Sequence, residues 1–161
     1  NAINIYTVTI DESKRKDEQW YINTNITYAF DGTNATGSYG DATAKAHADT
    51  TWTAQDETDG KGTEGEVATR GLKYNLIQTV KLQAEGELNR TDWYITRKAE
   101  KNTAIPSAIT THRDAVRTKQ DSMCTAITNA SDTPALETLY TYTTDSDGAQ
   151  SRPLGELPTL E

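Results

Sequence analysis

RTDWYITRKAEKNTAIPSAITTHRDAVR, residues 90–117, is the stretch on which the reading of this chain turns. A helical pattern runs into Thr91-Asp92-Trp93 and breaks. A second helical pattern, rich in Arg, restarts after Ala104-Ile105-Pro106, since proline is tolerated in a first turn. Two helices joined by an ordered loop carrying Trp93 and Tyr94 make an interaction module, not a catalytic cleft. Upstream, from Val67, Leu72, Leu76, Val80, Ala84 and Leu88 recur every fourth residue, and Tyr74 and Ile77 widen the stripe. This predicts a helix of about six turns that Asn89-Arg90-Thr91-Asp92 stops. Gly71 and Gly86 each weaken it by up to ~1 kcal/mol. Downstream, Ile109, His112, Val116, Met123 and Ile127 share one helical face, and Arg113, Arg117 and Lys119 point away. Ser131-Asp132 caps a third, short helix with Pro134 in its first turn and Leu136, Leu139 and Tyr140 inward.

The N-terminal half has a different period. Tyr6 to Ile10 alternates and is β-branched, which predicts a strand. Trp20, Ile22, Thr24, Ile26, Tyr28 and Phe30 fall on one face of a longer strand, 20–30, with Tyr21, Asn23, Asn25, Thr27 and Ala29 on the other. The two strands are expected to pair as an antiparallel hairpin whose apolar face needs cover, because a two-stranded ribbon is marginal alone. Residues 31–65 read as a long polar segment punctuated by Gly turns. Within it, Ala42–Ala48 is either a short helix or an extended piece, and 50–54 forms a strand centred on Trp52. A structureless loop of that length is unusual, so it either holds irregular strands or orders on a partner. The tail from Asp145 is extended or disordered unless a neighbour pins it. The expected class is α+β, with a Thr-rich β region at 1–66, a helical hairpin module at 67–144 and an extended tail at 145–161.

Apolar residues make up 34% of the 161 and mean hydropathy is −0.76. That is low for a globular domain, so the core is small or completed by a partner. Thr takes roughly one residue in six, which suits polar β-structure. The net charge of −8 argues against nucleic-acid binding. No window is apolar enough to span a bilayer, and neither a signal peptide nor a membrane partner is expected. The start at Asn1 is read as the loss of at least an initiator Met. Cys124 has no second cysteine to pair with and reads as a small buried or half-buried thiol.

No catalytic constellation is present, and neither cofactor nor metal is expected. His47 and His112 lack companions, and no base is placed to activate any Ser or Thr. Asp145-Ser146-Asp147-Gly148 has the start of a calcium loop and Glu156 its twelfth position. Ala149 stands where an oxygen ligand is wanted, however, and Pro153 breaks the register, so the calcium reading is rejected. Trp93 and Tyr94 either pack back on their own helices or plug into another subunit. Arg90, Arg97, Arg113 and Arg117 pair within the chain with Asp92, Glu100 and Asp114, or dock an acidic partner. The candidate interface residues are Trp20, Ile22, Ile26, Tyr28, Phe30, Trp52, Trp93, Tyr94, Arg97, Arg113 and Arg117.

Over Leu72 to Ile127, three elements carry a resemblance: Asp92-Trp93 at the helix exit, the loop Thr103-Ala104-Ile105-Pro106, and His112-Arg113-Asp114-Ala115-Val116-Arg117. The stretch resembles the C-terminal module of tail-fibre assembly and tail accessory proteins of tailed phages. There a helix ends in a (T/S)DW element and is followed by a helix with a Y/H-R-x-A-x-R pattern. The Thr-rich β half and the long tail depart from that pattern and suit a part that stays in the particle. The resemblance implies a structural component of a tailed-phage virion, tail-associated as a fibre, fibre adaptor or accessory protein. It would be assembled in the host bacterial cytoplasm, with other virion subunits and copies of itself as partners. The alternatives are a fibre-assembly chaperone not retained in the virion and a capsid decoration protein.

Overall fold

The structure, a computed structural model, describes residues 5–160. The chain is α+β, with strands first and helices after. It divides into two compact units, Asn1–Lys45 and Ala46–Glu161.

In the first unit, β1 (Val8–Asp11), β3 (Thr27–Phe30) and β4 (Ala35–Ser38) form one sheet in the order β1-β4-β3. β2 (Tyr21–Ile22) and β5 (Thr43–Ala44) pair separately. The expected hairpin between 6–10 and 20–30 does not form. β1 pairs in parallel with β4, and β3 pairs antiparallel with β4. The chemistry of 31–34 explains the second pairing. Asp31 accepts from the backbone N–H groups of Thr33 (2.8 Å) and Asn34 (2.7 Å), and Gly32 takes φ +99°. This side-chain-stabilised turn folds β4 straight back on β3.

The strand expected at 20–30 is broken for equally local reasons. Trp20 and Tyr21 both donate backbone N–H to the Asp17 carbonyl, so a turn sits where alternation was read. The Asn23 amide then makes two hydrogen bonds to the Lys16 backbone, at 2.9 and 2.8 Å, and draws the chain out of any ladder. Trp20 and Tyr21 are consequently both buried, although they are neighbours in sequence.

The second unit opens with β6 (Thr50–Thr51), α1 (Ala54–Thr58) and β7 (Val67–Thr69), with β6 and β7 antiparallel. Residues 31–65, expected either to hold irregular strands or to order on a partner, contain the short strands β4, β5 and β6 and the helix α1. The unit boundary falls after Lys45 instead of after 66 because this β6–α1–β7 segment is tied to the helices. Leu72 and Lys73 donate backbone N–H to the carbonyls of Ala46 and His47, and Asp49 accepts from the Gly71 N–H at 2.7 Å. Gly71 is required there for space: a Cβ would lie 2.3 Å from the Ala48 backbone.

α2 (Leu72–Asn89) and α4 (Ser107–Asn129) pack antiparallel as the hairpin the sequence predicts. α2 begins later than the expected Val67, which lies in β7. Val80 and Ala84 of α2 and Ile109, Val116, Met123 and Ile127 of α4 are buried. Lys73 Nζ donates to the Thr128 carbonyl at 2.9 Å, joining the start of α2 to the end of α4. α5 (Thr133–Tyr140) starts at the expected cap, with Asp132 accepting from the Ala135 N–H at 2.8 Å, and buries Leu136.

The tail does not wait for a neighbour to order it. β8 (Thr143–Thr144) and β9 (Gln150–Ser151) form a small hairpin. Its turn is made by Asp145, which accepts from the N–H groups of Asp147 and Ala149, both at 2.9 Å. The Asp145 carboxylate, at the first position of the calcium-loop pattern, therefore serves a turn. Beyond it, Leu154 is buried and donates its N–H to the Leu139 carbonyl. Arg152 grips Glu156 through two nitrogens, at 2.7 and 2.8 Å, and lies over the Tyr140 and Tyr142 rings. Burial works to raise the Glu156 carboxyl. Hydrogen bonds from Tyr142 and Arg152 outweigh it and hold the carboxyl below its ordinary range.

Candidate interaction surfaces

The β1-β4-β3 sheet has two unlike faces. Register places Val8, Ala35 and Phe30 in one row and Ile10, Gly37 and Tyr28 in the next. Residues directly opposite share a face. The other face carries Thr9, Thr36 and Ala29, then Asp11, Ser38 and Thr27. The middle strand supplies only Ala35 and Gly37 to the apolar side, and this lets the flanking strands' side chains meet above it. A Cβ at Gly37 would fall 2.7 Å from Ile10 Cδ1, 2.9 Å from Ile26 Cγ2 and 3.0 Å from Tyr28 Cε1. The Tyr6 and Phe30 rings meet at 4.7 Å between centroids. The result is an apolar ridge with no charged side chain in its two rows, and Tyr6, Val8, Tyr28 and Phe30 remain exposed. Of the predicted face, Ile26, Tyr28 and Phe30 come together here. Trp20 is buried, and Ile22 is exposed on the separate β2–β5 pair.

The Thr91-Asp92-Trp93 element is the corner between α2 and α3 (Asp92–Lys101), a helix where a loop was expected. Thr91 is its cap residue, and Asp92 in the first turn and Lys98 and Lys101 in the last match the helix dipole. Asn102, at φ 52°, ends it in the left-handed region. Arg113 does not point away from α4's buried face, as its charge suggested. It is buried, and its Nη1 donates to the Leu88 carbonyl (2.8 Å), Thr91 Oγ1 (2.7 Å) and Asp92 Oδ1 (2.7 Å). One nitrogen thereby binds the last turn of α2, the corner and the first turn of α3 to α4.

That lock orients the aromatic pair beyond it. The Trp93 and Tyr94 ring centroids are 3.8 Å apart, and the Arg97 guanidinium lies 4.6 Å from the first and 5.4 Å from the second. Trp93 is half exposed, and no side chain of α3 is fully buried. The pair packs against its own helix and also faces outward.

The remaining predicted residues are engaged locally. The Trp52 indole lies on Gly62, where a Cβ would be 2.2 Å from its Nε1. Arg117 is exposed and pairs with Asp114 at 3.3 Å. His112 is buried and its Nε2 has no hydrogen-bond partner. Cys124 is half-buried, and burial pushes its thiol above the usual value. A cleft of about 280 Å³ is lined by Gln83, Gly86, Glu87, Glu156 and Leu157. Its two carboxylates are already held by Arg90 and Arg152. Among the described residues, no three His, Cys, Asp or Glu side chains converge as a metal-binding set. Among the described residues, no helix is long and apolar enough to cross a membrane.

Comparison with protein-family models, curated proteins and solved structures finds no match to this chain.

Proposed function

We propose that this chain is a structural component of a tailed-phage virion, tail-associated as a fibre, fibre adaptor or accessory protein, and that it acts through subunit contacts without catalysis. The observation that carries the assembly role is the outward apolar ridge of the first unit. Among that unit's described residues, the only apolar side chains of any size that are fully buried are Trp20 and Tyr21. A core that small stabilises few domains unaided. Apolar rows left outward in such a unit are what a subunit contact covers. The phage context comes from the resemblance of 72–127. The Arg113 lock gives that motif a physical purpose, since it fixes Trp93 and Tyr94 at the surface of the helical module.

Quantitative mass spectrometry of purified virions tests the proposal. The expected result is the chain present at the copy number of a tail part. Its presence in the lysate but absence from finished particles would refute retention and leave an assembly chaperone. Copy numbers in the hundreds would move it to the capsid surface.

A further inference from the structure

We infer that the apolar ridge of the β1-β4-β3 sheet seats a second copy of this chain, the two ridges meeting face to face as a sandwich. The inference rests on the assembly reading and names its first partner. Three features of the surface select that occupant.

The first is charge. The chain carries −8, so two copies repel over most of their surfaces. The ridge formed by Tyr6, Val8, Ile10, Tyr28 and Phe30 is free of charge, and Asp11 belongs to the opposite face by register. A strongly basic partner would find its complement elsewhere on this acidic molecule. A second copy finds here the surface it can approach at the least like-charge cost.

The second is self-complementarity. A two-fold contact needs the same patch to fit itself. Two twisted sheets with apolar inner faces do so at ~10 Å separation. The Thr-rich reverse face then stays in water, as it does in one-sided antiparallel sheets.

The third is area, which also sets the strength. Tyr6, Tyr28 and Phe30 are 45%, 68% and 53% exposed and Val8 43%. At ~200 Å² for an aromatic side chain, this leaves roughly 400 Å² uncovered per copy. Two copies bury roughly 800 Å² together, below the ~1,200 Å² at which stable interfaces begin. The pair is therefore concentration-dependent, and becomes permanent only where further contacts in a particle add to it.

Sedimentation velocity of the full chain, from micromolar to millimolar concentration at low and high salt, tests this. The expected result is a monomer–dimer equilibrium that tightens as salt rises, because salt screens the residual repulsion while the apolar contact persists. Phe30→Asp and the milder Tyr28→Ser should each weaken dimerisation at least tenfold, and Thr9→Asp on the opposite face should leave it unchanged. The indole resonance of buried Trp20 reports whether each variant keeps the fold of the first unit. A wild-type chain that stays monomeric at millimolar concentration overturns the inference. So does a dimer that both ridge variants leave intact, or one that salt dissociates. A monomeric chain found in virions would sink the second-copy inference alone. A dimer from a chain absent from virions would sink the virion reading alone.

Discussion

Replacing Arg113 by Met removes the guanidinium while keeping most of the stem's apolar packing. Its Nη1 makes three bonds of 2.7–2.8 Å, and the side chain is 10% exposed. Charge-assisted hydrogen bonds contribute ~1.5–3 kcal/mol each, but three bonds from one nitrogen do not add. Two acceptors also keep other partners. The Leu88 carbonyl still receives the Thr91 N–H and hydroxyl, and Asp92, with its side chain 51% exposed, can return to water. The loss is thus smaller than the ~3–5 kcal/mol of an orphaned buried charge. We expect about 2–3 kcal/mol, and about 1 more for Arg113→Ala, which also loses the stem. Arg113→Lys keeps one charged nitrogen with three donors and should retain part of the stability. Urea unfolding followed by amide exchange at α2 and α4 reads the second unit. With a slope of ~2 kcal/mol/M, the midpoint for Arg113→Met should fall by roughly 1–1.5 M. Double-mutant cycles then divide the effect. Coupling to Thr91, fully buried, should reach ~1.5 kcal/mol and exceed coupling to half-exposed Asp92, at ~0.5 kcal/mol. A cost under ~1 kcal/mol, or the reverse order of couplings, would refute the account of Arg113 as the lock of this corner.

Two glycines should respond oppositely to the same change. Gly71→Ala drives a methyl into the Ala48 backbone and should cost about 2–4 kcal/mol, whereas Gly86→Ala, inside α2 with nothing within 4 Å, should stabilise by ~0.5–1 kcal/mol; thermal melts measure both. At Asp56, hydrogen bonds from Thr53 and then Lys61 hold the carboxyl at about 2, against an ordinary 3.8. The folded state therefore favours the carboxylate, and its contribution is whole above the ordinary value and lost as pH falls through 2. Acid titration of stability should show a flatter limb below pH 4 for Asp56→Asn than for the parent chain, and identical limbs would refute a stabilising role for the Asp56 carboxylate, which accepts from the Thr53 N–H and hydroxyl at the start of α1.

What was legible in the sequence followed local periodicity and caps. α4 and α5 were readable because apolar spacing and terminal signals agree, with Pro106-Ser107 at one start and Asp132 at the other. α3 was misread because Thr91-Asp92 ends one helix and begins the next. Its own signals, an acid in the first turn and lysines in the last, were present. Arg113 was placed outward on its charge alone. Yet Ile109, His112 and Val116 occupy i, i+3 and i+7 of a buried stripe, and Arg113 is the i+4 position that completes it. What buries it is an acceptor cluster from residues 88–92, more than twenty positions earlier in the chain, which no periodicity records.

The β half shows the opposite limit. Alternation over 20–30 was real as a pattern, but one Asn side chain bonding the Lys16 backbone and one turn at Asp17 were enough to divide it. Alternation reports which side chains would share a face if the strand ran on; it does not report which strand lies alongside. Here β4, a segment with only Ala35 and Gly37 to offer the apolar face, became the centre of the sheet. Its smallness has a structural consequence. With no bulk in the middle row, Ile10, Ile26 and Tyr28 lean inward over Gly37 and the ridge closes on itself. A larger residue at 37 would prop those side chains apart. Gly37 therefore shapes the apolar ridge as well as the sheet beneath it, and that dual role explains why a glycine stands at the centre of this face.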